Sequence, residues 1–220
     1  GSSIARAIKK NKISNNIYGI DTNLKNIDIC KEKNVIIEGY SSLNEIKTQV
    51  DLIIICTPLG TYNKVFSDIN TFVTKETLIT DVGSTKVSVI EDFNNSIKND
   101  LVEFIPSHPI AGLEKSGPKF GFAELFENRF CILTPFNNNK TVIQKIKNFW
   151  ESMRMQVEIM EASHHDRVMA MTSHLPQLIA YSIVFTADEL EEHLKQEILK
   201  YSAAGFRDFT RLAGSDPIMW

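Results

Sequence analysis

The run Ser107-His108-Pro109-Ile110-Ala111-Gly112 puts a titratable ring where a strand gives way to a turn. It follows the apolar stretch Val102 to Ile105 and contains Pro109, which lacks an amide donor, and Gly112, which permits a sharp turn. His108 is therefore expected at the carboxyl edge of a sheet, where open α/β folds bind ligands. An imidazole there can take a proton near neutral pH, although a histidine at a turn can also serve only to satisfy backbone groups. Ser84 and Lys86 follow another strand-like run, Leu78–Val82, and are expected to converge on the same edge. Plainer roles stay open for both: a helix N-cap for Ser84 and a solvated first helical turn for Lys86. Arg207 and Arg211, spaced i, i+4, share a helix face. A guanidinium in apolar surroundings suits a carboxylate because it engages both oxygens, and pairing with Asp208 or Asp216 to fix the fold is the alternative.

A second constellation concerns a dinucleotide. Asp21 ends the strand-like run Ile17–Asp21, twenty positions after Gly1. Nucleotide-binding folds place an acidic residue about that far beyond their glycine motif, where it accepts from ribose hydroxyls. A carboxylate there disfavours a 2′-phosphate, which favours NAD over NADP, and Thr22-Asn23 supplies no arginine to reverse that preference. Asp21 as the N-cap of a helix near Lys25 is equally open. Thr57-Pro58-Leu59-Gly60 and Asp81-Val82-Gly83-Ser84 are further strand-to-helix turns, whose amides favour polar or anionic ligand groups. Gly1 resembles the last glycine of G-x-G-x-x-G with the preceding strand missing, so the chain is expected to be a fragment cut at both ends. Taken together, these residues suit an NAD-linked oxidation of an alcohol on a small anion, with His108 drawing off the hydroxyl proton.

The elements that must position these groups alternate. Ile17–Asp21, Asp51–Cys56, Leu78–Val82, Val102–Ile105, Phe130–Thr134 and Gln156–Met160 are predicted strands. Lys25–Lys33, Tyr62–Val73, Ser84–Ile97 and Thr141–Met153 are predicted helices. Continuous apolar strands such as Leu52-Ile53-Ile54-Ile55-Cys56 suit a parallel sheet covered on both faces. The expected fold is therefore α/β, a Rossmann-like doubly wound, mostly parallel sheet over residues 1–160. Residues 161–220 read as a truncated all-helical second domain, with Pro176 kinking a helix from His164 to Leu190.

Composition excludes some classes. With 220 residues, 43% hydrophobic, 23% charged and a net charge of -3, the chain is ordinary for a globular protein and has no footprint for nucleic acid. No uninterrupted apolar run approaches the roughly 18–20 residues of a membrane span, and no signal peptide is seen. Cys30, Cys56 and Cys131 form neither a disulfide framework nor a zinc pattern, and a cytoplasmic location is expected. His164-His165-Asp166 is the nearest thing to a metal motif. Adjacent histidines on a helix point different ways, so these are read as polar residues at a helix start and no metal is expected.

Several longer segments resemble one family. Ser107–Gly112, Ser173-His174-Leu175-Pro176, and Gly205-Phe206-Arg207-Asp208-Phe209-Thr210-Arg211 through Ser215-Asp216-Pro217-Ile218-Met219-Trp220 are similar to prephenate/arogenate dehydrogenases. Gly117-Pro118 to Arg129 resembles the broad-specificity, cyclohexadienyl members. The resemblance implies NAD-dependent oxidative decarboxylation in tyrosine biosynthesis, giving 4-hydroxyphenylpyruvate from prephenate or tyrosine from arogenate. It also implies a homodimer when the protein is full length. By the same resemblance, His108 and Ser84 would meet the substrate C4 hydroxyl, with Lys86 nearby. Arg211 would bind the ring carboxylate, Glu114 and Asp208 would stand at the pocket entrance, and Gln177 would face the substrate side chain. Gly1, Asp21, Thr57, Pro58 and Ser84 would hold NAD. Gln177 departs from the histidine of many prephenate-using members and cannot become cationic. A related hydroxyacid dehydrogenase and a non-catalytic dinucleotide-sensing module are the rival readings.

Overall fold

Leu52-Ile53-Ile54-Ile55 carries a branched apolar side chain at every position, so both faces of this strand have to be covered. In the computed structural model, which describes residues 1–113 and 115–215, they are. Leu52–Ile55 (β3) pairs in parallel with Thr77–Asp81 (β4), and β4 pairs in parallel with Val102–Phe104 (β5). Ile53, Ile55, Ile79 and Phe104 pack with Phe66 and Ile69 of helix Tyr62–Phe72 (α3) and Val89 of helix Val87–Ser96 (α4). Leu52, Ile54 and Leu78 belong to the other cluster, with Ile4 and Ile8 of helix Ser2–Lys10 (α1) and Ile146 and Trp150 of helix Lys140–Glu151 (α5). Alternate residues of one strand thus feed two cores, as the two-residue period of a strand requires.

Two further sheets accompany this one. Tyr18–Ile20 (β1) and Glu38–Tyr40 (β2) form a parallel pair connected through helix Leu24–Glu32 (α2). Ser107–Pro109 (β6) runs antiparallel to Phe130–Leu133 (β7), which pairs in parallel with Gln156–Ile159 (β8). The Rossmann-like, mostly parallel plan is therefore as expected, with two additions. β2 is a three-residue strand of Glu38, Gly39 and Tyr40, and it offers no apolar run to recognise. β6 corrects the expected turn at Pro109: an edge strand tolerates a residue without an amide, and the ladder resumes with Ile110 N donating to Phe130 O at 2.8 Å.

By its internal contacts the chain divides into two compact units, residues 1–166 and the described residues from Arg167 on, the division falling inside helix Ala162–Met169 (α6). A π-helical turn, Ala170–His174, leads to helix Leu175–Asp188 (α7), followed by Glu192–Tyr201 (α8) and Ala204–Leu212 (α9). The kink expected at Pro176 takes the form of that π turn, because proline has no amide for the preceding turn and its ring needs room there. Within the second unit α7 is tied to α9. Gln177 Nε2 donates to Leu212 O at 2.8 Å, and Tyr181 OH donates to Ser215 O at 3.1 Å.

The helical stretch Ala162–Asp188 has a property that apolar run length does not reveal. Its 27 residues reach a mean hydropathy of 1.3 over an 18-residue window, enough by length and composition to cross a membrane. Reading uninterrupted runs misses it because His174, Pro176 and Gln177 break the apolar sequence. Leu178 and Phe185 stay 62% and 64% exposed, and a cleft of about 590 Å³ lined by Leu175, Leu178, Ile179, Ile183 and Phe206 runs along α7. A face that packs a second subunit has this same character.

Trp150 has no solvent exposure and packs beside Phe126 and Phe149. Trp150→Ala is expected to destabilise the protein by about 3–5 kcal/mol, measured by urea unfolding.

Candidate active site

A single carboxylate organises the carboxyl end of β4. Asp81 Oδ2 accepts from Lys86 Nζ at 2.6 Å, Gly83 N at 2.8 Å and the Tyr62 hydroxyl at 3.2 Å. Its Oδ1 accepts from Ser107 N at 2.9 Å. Lys86 Nζ also donates to Ser107 O at 2.8 Å, and neither the Lys86 nor the Asp81 side chain is exposed to solvent. Burial pushes the Lys86 ammonium below its ordinary range, against the opposing pull of the Asp81 carboxylate. The Ser107 hydroxyl donates to Asp81 O and lies 2.9 Å from Thr80 Oγ1. Ser107 is therefore held by its amide, its carbonyl and its side chain. Gly83 lets the turn close on the carboxylate, since a Cβ there would come within 2.6 Å of Leu59 Cδ2 and 2.9 Å of Asp81 Oδ2.

The next residue is His108. Along β6, Ser107 and Pro109 are buried and His108 between them is half-buried, opposite Ile132 of β7. The anchored Ser107 thus directs the imidazole away from the network beneath it. His108 Nδ1 lies 2.9 Å from His165 Nε2, and His165 Nδ1 lies 2.8 Å from Asp166 Oδ1. Asp166 also accepts from Lys86 N at 2.8 Å and Val87 N at 3.0 Å, so it caps α4 from 80 residues away.

These contacts change several expectations. Lys86 is neither solvated nor open to substrate; its ammonium is committed to Asp81 and to the carbonyl of Ser107, the residue before His108. Ser84 is not the N-cap of α4, whose cap position falls at Lys86 with no side-chain cap of its own. His165 and Asp166, read from sequence as polar residues at a helix start, join the histidine they were not linked to. Nothing in their spacing signals this, because the contact is made across the fold.

The expected cofactor residues occupy separate strand ends. Asp21 Oδ1 accepts from Asn23 N at 2.8 Å and Oδ2 from Asn26 Nδ2 at 2.9 Å, while Asn23 is the side chain that caps α2. Asp21 is thus not the N-cap. Thr57 Oγ1 accepts from Thr61 Oγ1 at 2.8 Å, and Pro58 O accepts from Thr61 N at 2.9 Å in the 3-10 turn after β3. Gly1 begins α1, and a Cβ there would meet Cys56 at 3.6 Å, an ordinary contact, so close packing alone does not demand glycine. In the second unit Gln177 is buried, and Asp208 and Arg211 lie exposed on α9. Glu114 lies outside the described residues.

Residues 4–159 match the family described as prephenate dehydrogenase, nucleotide-binding domain, and residues 161–220 match prephenate dehydrogenase, dimerization domain. The chain is 39% identical over 173 residues to a cyclohexadienyl dehydrogenase from Zymomonas mobilis, covering 78% of this chain and 58% of that protein. It is 34% identical to a prephenate dehydrogenase from Bacillus subtilis, covering 100% of this chain and 59% of that protein. The chain therefore spans somewhat over half the length of these curated relatives. Among solved structures, the prephenate dehydrogenase from Aquifex aeolicus in complex with hydroxyphenyl propionate and NAD+ superimposes with a TM-score of 0.91 at 32% identity, covering 100% of this chain and 76% of that one. A Synechocystis arogenate dehydrogenase shares the fold, with a TM-score of 0.78 at 21% identity, covering 100% of this chain and 77% of that one.

Asp81→Asn leaves the Lys86 ammonium buried without its counter-charge. The expected loss is about 3–5 kcal/mol in chemical unfolding, far beyond that of an exposed ion pair.

Proposed function

The chain belongs to the prephenate dehydrogenase family, and from that premise we propose that the full-length protein oxidatively decarboxylates prephenate, arogenate or both, using NAD, in tyrosine biosynthesis. The observation that carries this reading is the setting of His108, a half-buried imidazole on a strand whose preceding residue is locked to a buried ion pair. A proton acceptor on so rigid a base suits a reaction whose main demand is alignment.

The nucleotide fits the residues present. Both Asp21 oxygens are oriented by Asn23 and Asn26 beside the end of β1, as a carboxylate that accepts from two ribose hydroxyls would need. Gly1 would allow close approach at the start of α1, and Thr57, Pro58 and Ser84 would line the neighbouring strand ends. When bound, NAD supplies the hydride acceptor for the substrate's ring C4. His108 takes the C4 hydroxyl proton, and Ser84 hydrogen-bonds the same hydroxyl. The ring carboxylate leaves as carbon dioxide, its electron pair completing the aromatic ring.

By the family resemblance Arg211 is assigned to the ring carboxylate, Gln177 to the substrate side chain, and Glu114 and Asp208 to the pocket entrance. Gln177 carries no positive charge and its Nε2 already donates to Leu212 O, so turnover of each substrate decides the preference between a keto acid and an amino acid. Residues 1–160 act as the nucleotide-binding domain and 161–220 as part of a substrate and dimerisation domain. The exposed apolar face of α7 is covered by a second subunit, and the enzyme works as a homodimer in the cytoplasm.

NADH formation by the full-length protein with prephenate and with arogenate tests the function; no turnover of either refutes it. His108→Asn is expected to lower kcat by about 10²–10⁴ with little change in KM, and a normal kcat removes His108 from the mechanism. Arg211→Ala is expected to weaken substrate binding by roughly 2–5 kcal/mol, read as a raised KM, and a normal KM reassigns it to structure.

A further inference from the structure

Two polar side chains beside His108 have no role in the reaction as described. His165, on α6, has no solvent exposure, yet both of its ring nitrogens make close polar contacts. Its ring meets that of His108 edge to face, with centroids 5.1 Å apart and planes 72° from parallel. Asp166 is fixed independently by the Lys86 and Val87 amides, so the carboxylate holds its place whether or not the histidines are present.

Valence decides where the protons lie. An ionised carboxylate only accepts, so His165 Nδ1 donates to Asp166 Oδ1. A neutral His165 then has Nε2 as an acceptor. One proton bridges the 2.9 Å contact between the two rings, and His108 Nδ1 must supply it. The remaining nitrogen of a neutral His108, Nε2, is left as the basic one. Protonating His165 at both nitrogens would reverse the order: it would add a charge to a ring with no exposure, balanced by the Asp166 carboxylate, and the nitrogen-15 measurement below tells the two states apart.

We propose that His165 and Asp166 are positioning residues that hold His108 in its Nδ1–H tautomer and so present Nε2 to the substrate hydroxyl. This rests on His108 being the base proposed above. The two histidines are 57 positions apart and the aspartate adjoins the second, so the order Asp166, His165, His108 forms only in the folded chain.

The test uses the full-length enzyme. His165→Phe keeps a ring of similar shape but removes both ring nitrogens, and it is expected to lower kcat by about 10- to 100-fold, with KM for substrate and NAD nearly unchanged. His165→Gln is expected to recover most of that loss, because its amide oxygen accepts from His108 while its amide nitrogen donates to Asp166. Nitrogen-15 NMR of the wild-type imidazoles gives a readout independent of turnover, with His108 protonated at Nδ1 and not at Nε2. The opposite tautomer, a His165→Phe enzyme with normal kcat, or a Gln variant as impaired as the Phe variant would each overturn the proposal. If the Phe variant does not fold, the NMR assignment and the Gln variant decide. His108→Asn separates the two levels: full activity there refutes the base itself, whereas its loss alongside a normal His165→Phe refutes only the positioning role.

Discussion

An ammonium and a carboxylate with no access to solvent are costly to enclose, and they stay folded only if every remaining donor and acceptor around them is matched. Asp81 and Lys86 are held together by each other and by Gly83, Tyr62 and both backbone groups of Ser107. The pair therefore fixes geometry more than it adds stability. The end of β4, the turn into α4 and the start of β6 cannot shift separately without stranding a charge. His108 inherits that rigidity because it is the next residue along the chain.

The same turn is held from a second direction. Asp166 receives the first amides of α4 while its neighbour His165 reaches the imidazole, so one short segment after β8 both stabilises a helix end and contacts His108. A helix start that would ordinarily be capped by its own sequence borrows its acceptor from elsewhere. Secondary structure and site are thereby linked: distorting the beginning of α4 would also disturb the carboxylate on which His165 depends.

Much of this was legible in the residues, and what was not has definite causes. The strand and helix alternation could be read because β3 and β7 are continuous apolar runs, β4 centres on Leu78-Ile79, and α3 and α5 bury one face each. Glu38-Gly39-Tyr40 is too short and too polar to announce a strand, and Pro109 disguised β6 as a turn. His108 stood out by residue type and position. Lys86, by contrast, looked like any lysine in a first turn, because burial is a property of what packs over a side chain and not of its neighbours in sequence. His165 and Asp166 were hidden for the same reason. Their adjacency argued against metal ligation, and nothing local pointed to a partner 57 or 80 residues away.

The π turn at Ala170–His174 has a geometric effect on everything after it. Each residue of an α-helix advances about 100° around the axis, so a widened turn that takes in one extra residue rotates all later side chains by about that angle. Helical-wheel counting carried straight from Arg167 into α7 would therefore assign Gln177, Ala180 and Tyr181 to the wrong azimuth. A one-residue deletion in this turn would regularise the hydrogen bonding and leave the apolar stripe of α7 facing the same way, whereas converting the turn to α-helix at constant length would swing that stripe by about 100° and change which side chains meet α9.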